Sequence, residues 1–137
     1  MRIFFDTNVL VSAFATRGLC ADLFSHVLLE HELIVGEVVL VELRRALRDR
    51  IKLPRTLIDE IDDLLRDAVL VPKPKAHLKL GIPDPDDEWI VASAVAGKAD
   101  VLVTGDSALL ETASRLPLSV VNPRGLWDRL RTSKPRR

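Results

Sequence analysis

Five short apolar segments alternate with longer segments of helical periodicity, and this alternation limits the possible folds more than any other feature of the chain. The apolar segments are Arg2–Phe5, Leu33–Val35, Val69–Val71, Val101–Val103 and Leu118–Val121. Continuous apolar runs of this length are typical of strands that are covered on both faces. The intervening patterns predict helices over about residues 8–14, 20–31, 37–50, 55–66, 87–96, 107–114 and 123–131. Alternating strands and helices predict an α/β fold, a three-layer α/β/α sandwich around a mostly parallel sheet of about five strands.

Composition narrows the class of protein. The chain has 137 residues, which is one domain's length, and 47% of them are hydrophobic. Its single cysteine excludes an internal disulfide, and no stretch approaches the roughly 18 apolar residues of a membrane helix. An early acidic residue also argues against a signal peptide, so we expect a cytoplasmic protein. We expect one domain over residues 1–131 and a basic, flexible tail over 132–137.

Acidic residues directly follow two of the predicted strands. Asp6 comes after Ile3, Phe4 and Phe5, and Asp106 comes after a buried strand and a Thr-Gly turn. In an open α/β sheet, ligand sites form at the carboxyl ends of the strands, where these two side chains would lie. Asp is also a good helix cap, so capping of the next helix is the alternative for each residue.

Two further acidic groups stand on predicted helices. Glu42 lies on the shoulder of the face that Leu40, Leu43 and Leu47 bury, since successive residues are separated by about 100°. A solvated glutamate is the alternative there. The other group is Asp84, Asp86, Asp87 and Glu88, at a helix start where Asp84 is the expected cap and Pro85 the first helical residue.

Converging carboxylates would favour a bound cation. Two like charges about 4 Å apart repel by about 4 kcal/mol at an effective dielectric of about 20. Several acids in one crevice would therefore take up protons or bind a cation. Oxygen ligands select Mg²⁺ or Mn²⁺, and such ions support phosphodiester hydrolysis. The scattered histidines show no zinc spacing.

Four segments in this order resemble the PIN-domain family, and within it the VapC-like ribonuclease toxins of type II toxin–antitoxin systems. The segments are Ile3–Ala13, Val41–Leu43, Asp84–Ala94 and Leu102–Asp106. The resemblance extends over about residues 1–130. One departure is Gly36, where many relatives have Ser or Thr as the cap before the glutamate.

This resemblance implies a metal-dependent ribonuclease that acts on single-stranded RNA. Its four acids, catalytic and metal-binding, would be Asp6, Glu42, Asp87 and Asp106, around one or two Mg²⁺ or Mn²⁺ ions. Asn8 and Thr104 match polar positions that orient the acids, and Asp86 is a possible additional acid. The resemblance also implies a toxin that a small antitoxin holds inactive and that forms a homodimer.

RNA contacts would have to be local because the chain carries no net charge. The candidates for contacts to RNA are Arg17, Arg44, Arg45 and Arg48, with solvated surface positions as the alternative. Trp89 and Trp127 could stack on bases. Both lie in apolar helical patterns, so core packing or a dimer contact is the stronger expectation for each.

Two other functions remain open from the sequence. A phosphatase of the haloacid dehalogenase type also uses an Asp after the first strand, but it needs a second acid two residues later, where this chain has Asn8. A non-catalytic PIN-like module that binds RNA or protein is the other alternative. The presence of all four acids argues against it.

Overall fold

The computed structural model describes residues 1–77 and 79–132, in which five strands alternate with seven α-helices. The strands are β1 Arg2–Phe5, β2 Glu32–Gly36, β3 Val69–Val71, β4 Val101–Val103 and β5 Ser119–Val121. The helices are α1 Thr7–Ala15, α2 Leu19–Glu30, α3 Glu37–Ala46, α4 Arg55–Arg66, α5 Pro85–Ala96, α6 Ser107–Glu111 and α7 Pro123–Thr132. The alternation predicted from the sequence is thus confirmed.

The five strands form one sheet in the order β3-β2-β1-β4-β5, and every neighbouring pair is parallel. In the register of the sheet, Ile3 of β1 lies between Leu33 of β2 and Val101 of β4. From β1 the chain builds outward through β2 and β3, then returns to place β4 on the other side of β1. The strand order therefore reverses between β1 and β4, and the crevice for ligands opens at their carboxyl ends.

The centre of the sheet is the core of the molecule. Ile3 and Phe4 of β1 and all three residues of β4 have no exposed surface. Strands buried on both faces fix the backbone at the point where each strand ends. A side chain that follows β1 or β4 is therefore held by the most rigid part of the fold.

Gly36 ends β2 and is the N-cap of α3. A Cβ at this position would lie 3.1 Å from the Phe4 ring and 3.2 Å from the Cβ of Ser93, closer than ordinary van der Waals contact. The departure from Ser or Thr at this cap thus has a packing cause. Without a side chain at this position, α3 can start against β1 and α5.

Two predicted helices are wrong in extent. The helix predicted over 37–50 ends at Ala46 and continues as a π-helical turn, Leu47–Ile51, which stops at Lys52 in the left-handed conformation. The wider turn keeps Leu47 buried and lets Arg50 reach Asn8, at 3.4 Å. The helix predicted over 107–114 ends at Glu111 and is followed by a 3₁₀ turn, Ala113–Arg115.

The remaining boundaries differ by one or two residues. Helix α5 starts at Pro85 with Asp84 as its cap, which confirms the prediction for this helix start and extends the predicted range of about 87–96 by two residues. Asp84 accepts a hydrogen bond from the backbone N–H of Asp86, at 2.9 Å. Helix α7 includes Thr132, and the rest of the predicted tail, 133–137, lies outside the described residues. Among the described residues, no helix is long and apolar enough to span a membrane.

Candidate metal centre

Acidic side chains from four segments line one cavity of about 430 Å³ at the carboxyl ends of β1 and β4. They are Asp6, Glu42, Asp84, Asp86, Asp87 and Asp106, and Asp49 lies at the same cavity. The four acids predicted from the sequence are among them, together with the neighbour Asp86. They are far apart in the chain, and the reversal of strand order brings them together.

Asp6 is the most buried of these acids, with 7% of its surface exposed. It caps α1, and its Oδ1 accepts a hydrogen bond from the backbone N–H of Thr7, at 2.7 Å. Burial raises the pKa of Asp6, the hydrogen bonds from Thr104 and Thr7 oppose that rise, and the charge of Asp106 adds to it. Capping and lining the cavity are therefore compatible roles for this residue.

Thr104 joins the two strand-end acids. It is fully buried, and its hydroxyl donates to Oδ2 of Asp6 at 2.7 Å. The same hydroxyl oxygen accepts a hydrogen bond from the backbone N–H of Asp106 at 3.0 Å. Asp106 in turn caps α6 through the N–H of Ala108, at 2.8 Å. A single hydroxyl thus links the positions of both acids.

Glu42 extends from α3 towards the same crevice. Its Oε1 accepts a hydrogen bond from the hydroxyl of Thr7, at 2.6 Å. Partial burial raises the pKa of Glu42, the Thr7 hydrogen bond opposes that rise, and nearby charges, beginning with Asp6, add to it. This orienting role of Thr7 was not predicted from the sequence. Its place between Asp6 and the predicted orienting residue Asn8 was the only available signal.

Asn8 lies at the rim of the cavity and is exposed. Its Oδ1 accepts a long hydrogen bond from Arg50, at 3.4 Å. Among the described residues, the side-chain hydroxyls that donate to the predicted acids are those of Thr7 and Thr104. The orienting role of Asn8 stays a prediction.

The α5 acids divide between two environments. Asp87 faces the cavity, and its pKa is raised from 3.8 to about 7, first by burial and then by the charges of Asp106, Asp6 and Asp84. A carboxyl–carboxyl contact with Asp106 also favours the protonated form of Asp87. Glu88 points elsewhere, is buried, and accepts a hydrogen bond from the N–H of Leu80 at 2.6 Å.

The acids that line the cavity offer carboxylate oxygens, which are the ligands that hard divalent cations such as Mg²⁺ and Mn²⁺ prefer. The raised pKa values of Asp6, Glu42 and Asp87 show that negative charge is unfavourable in this cavity without a cation. In residues 1–77 and 79–132, however, no three His, Cys, Asp or Glu side chains are already arranged to hold an ion. Asp6 and Glu42 accept hydrogen bonds from the hydroxyls of Thr104 and Thr7, and each carboxylate oxygen that accepts one such bond keeps a further lone pair.

The predicted RNA-contact arginines occupy different places. Arg45 lines the acidic cavity, together with Arg50. Arg44 and Arg48 line a separate cavity with Arg55, and Arg44 pairs with Asp59. Arg17 is exposed in the turn between α1 and α2. Only Arg45 among the four candidates is at the acids.

Solved structures share this fold. One is VapBC2 from Rickettsia felis bound to a DNA fragment from their promoter, with a TM-score of 0.66 and 18% identity over 89% of this chain and 98% of that chain. Another is VapBC-1 from nontypeable Haemophilus influenzae, with a TM-score of 0.64 and 19% identity over 90% and 99% of the two chains. A third is FitAcB from Neisseria gonorrhoeae, with a TM-score of 0.59 and 16% identity over 89% and 98%.

Sequence comparison gives a further result. No curated protein matches this chain significantly. The sequence does match the PIN domain family over residues 2–108, a span that includes all four strand-end and helix acids described above. The chain therefore belongs to the PIN-domain family, whose members are generally nucleases.

Proposed function

We propose that this protein is an endoribonuclease that hydrolyses phosphodiester bonds of single-stranded RNA with the help of Mg²⁺ or Mn²⁺. The observation that carries the proposal is the cluster of Asp6, Glu42, Asp87 and Asp106 in one cavity at the reversal of strand order. Three of these carboxyls have raised pKa values. Perturbed acids in a cleft are typical of functional sites.

The four acids would hold one or two ions, with Asp86 as a possible additional ligand. A bound divalent ion supplies an activated water and stabilises charge on the phosphoryl oxygens. The chain supplies the positioning: Thr104 holds Asp6 and Asp106, and Thr7 holds Glu42. Arg45 and Arg50 line the same cavity and would contact the phosphate oxygens of the substrate.

Cleavage of a labelled single-stranded RNA by the purified protein tests this proposal. We expect cleavage with Mg²⁺ or Mn²⁺, none with a chelator, and none by the Asp6→Asn variant in either metal. Asp128→Asn is the matched control, because Asp128 is an exposed carboxylate on α7 and does not line the cavity. It should cleave at the wild-type rate.

Two results would contradict the nuclease assignment. The first is full activity in the Asp6→Asn variant, and the second is cleavage that persists in the chelator. If the folded protein binds RNA but cuts no RNA under any metal, the non-catalytic binding module becomes the better assignment.

The biological role that we propose is that of a toxin held inactive by a small antitoxin, with the active form a homodimer. The support is the fold shared with the VapBC and FitAB toxin–antitoxin complexes. Induced expression in a bacterial host should arrest growth for the wild type and not for Asp6→Asn. Equal growth of the two strains, at equal protein levels, would argue for ordinary RNA processing instead.

A further inference from the structure

A second cavity, of about 520 Å³, adjoins the acidic one and shares Glu42, Arg45 and Asp86 with it. We name it the Trp89 groove. Its other lining residues include Val38, Val41, Arg66, Lys73 and Trp89. From the acidic cavity to the Trp89 groove, the surface presents first the carboxylates, then the guanidinium of Arg45, and then an apolar wall that includes the Trp89 ring.

The apolar wall of the Trp89 groove is accessible to a ligand. Val41, on α3, is 59% exposed although its side chain is aliphatic. Trp89 is only partly buried and is not among the side chains packed against the core, so of its two expected roles core packing is not met and a dimer contact stays a prediction. Trp127, in contrast, does pack against the core. The helical pattern of α5 instead buries Ile90, which turns Trp89 outward.

The Trp89 ring is contacted by His77 and, over the ring, by the ammonium of Lys73. The His77 ring meets it edge-on, with 4.5 Å between centroids. The ammonium of Lys73 lies 4.7 Å from the ring centroid. Lys73 is exposed, while its backbone N–H donates to Glu37 of α3, at 3.2 Å. The backbone of Lys73 is thus tethered beside the groove, and its exposed side chain places the ammonium over the ring.

We infer that the Trp89 groove is a nucleobase subsite, in which one unpaired base of the RNA stacks on Trp89. The inference rests on the proposed function and adds to it a reason for the preference for single strands. A base in a duplex is stacked and paired and is not available to the ring, whereas an unpaired base is. Because Arg45 lines both cavities, it would hold a phosphate between the stacked base and the bond that is cut.

The contact with Lys73 does not prevent stacking. An exposed cation–π contact is worth a factor of about 2 to 5 in an equilibrium constant. Stacking of a base on an aromatic side chain is worth a factor of about 5 to 150. The base therefore displaces the ammonium, which moves to a phosphate of the bound strand and keeps its charge paired.

Fluorescence can follow this stacking directly, since the chain has only two tryptophans. In a Trp127→Phe background, Trp89 is the single reporter. The probe is a six-nucleotide single-stranded RNA, added in a chelator so that no cleavage occurs. The comparison probe has the same backbone without bases. We expect quenching by the RNA and at least about 10-fold weaker binding of the abasic strand.

Variants separate a stacking role from a structural one. Trp89→Ala should weaken RNA binding about 10-fold, and Trp89→Phe should stay within about 3-fold of Trp89 because a ring is retained. Lys73→Ala should lower the salt dependence of binding by about one counterion, which Trp89→Ala should not do. Thermal unfolding of each variant shows whether the fold is intact.

The results that would overturn the base subsite on Trp89 differ from those that would overturn the nuclease activity. Equal binding of RNA and abasic strand, with unchanged affinity in a folded Trp89→Ala variant, overturns the subsite even if metal-dependent cleavage is found. Base-dependent quenching without any cleavage under Mg²⁺ or Mn²⁺ supports the subsite and overturns the nuclease.

Discussion

Replacement of Thr104 by Val removes the hydroxyl that links Asp6 and Asp106 and keeps the shape of the side chain. The hydroxyl donates to Asp6 at 2.7 Å and accepts from the N–H of Asp106 at 3.0 Å, and the residue has no exposed surface. Both contacts are lost together. We therefore expect Thr104→Val to lower both stability and activity.

The magnitude follows from the two contacts. A hydrogen bond to a charged group contributes about 1.5–3 kcal/mol, and an unpaired buried N–H costs about 1 kcal/mol or more. Water that enters the cavity replaces part of the lost hydrogen bonding, so we expect a net loss of about 2–3 kcal/mol in the free energy of unfolding. For a domain of this size that lowers Tm by about 8–12 °C. Loss of an orienting partner of a metal ligand reduces activity by about 10- to 100-fold.

The pH dependence of this loss has a definite sign. Burial raises the pKa of Asp6, so its carboxyl becomes neutral at a higher pH than an ordinary aspartate. A neutral hydrogen bond contributes only about 0.5–1.5 kcal/mol. The destabilisation caused by Thr104→Val should therefore be largest at pH values above the raised pKa of Asp6 and shrink as the pH falls through that pKa.

Urea denaturation and cleavage kinetics test this prediction against a matched threonine. Thr112 is also buried, but its hydroxyl donates to the helix carbonyls of Ala108 and Leu109, away from the acids. Thr112→Val should lose less than about 1 kcal/mol and keep full activity. Thr104→Ser should recover most of the cleavage rate. The reasoning is refuted if Thr104→Val loses no more stability than Thr112→Val and cleaves RNA at the wild-type rate.

Three other predictions follow from the same structure. The pKa of Asp87 is raised from 3.8 to about 7, so the folded state holds the Asp87 proton more tightly than the unfolded state does. This proton binding stabilises the folded protein at low pH, and the stabilisation is lost as the pH rises from 3.8 through 7. Over the interval from pH 3.8 to 7 the upper bound is about 4 kcal/mol, and screening of this partly exposed group reduces it to about 1–2 kcal/mol. Urea denaturation from about pH 4 to about pH 8 should show this loss, and saturating Mg²⁺ should offset it. Gly36→Ala should destabilise by about 1–3 kcal/mol through its contacts of 3.1–3.2 Å with Phe4 and Ser93, whereas Gly105→Ala, whose Cβ meets nothing within 4 Å, should be neutral within about 0.5 kcal/mol. Arg45→Ala should weaken RNA binding and reduce its salt dependence by about one counterion, and Arg17→Ala should do neither.

Much of the fold could be predicted from the sequence because its strands are continuous apolar runs. Val101–Val103 is buried on both faces, and its pattern allows few other structures. The π-helical turn at Leu47–Ile51 could not be predicted, since the apolar stripe of α3 continues through Leu47 without interruption. The order of the strands also has no local signal. It depends on how crossover connections pack over the whole sheet.

Asp6 and Asp106 were predicted because a carboxylate after a buried strand has few positions available. Glu42 and Asp87 lie on helices, and the family resemblance assigned them to the site. The second layer of the site was harder to predict. Thr7 and Thr104 each lie within two residues of a site acid in the sequence. Only the structure shows that Thr7 contacts Glu42. In the run of acids near the start of α5, only the family resemblance distinguished Asp87, which lines the cavity, from Glu88, which accepts a hydrogen bond from Leu80.

The titration of the Asp87 carboxyl by NMR tests the central claim that four separate segments assemble one cation site. Without metal, the account predicts a pKa near 7, raised from 3.8 by burial and by the neighbouring acids. With saturating Mg²⁺ we expect a clearly lower pKa for Asp87, because the ion favours the charged carboxylate. An ordinary pKa near 3.9 without metal, with no response to Mg²⁺, would contradict the account.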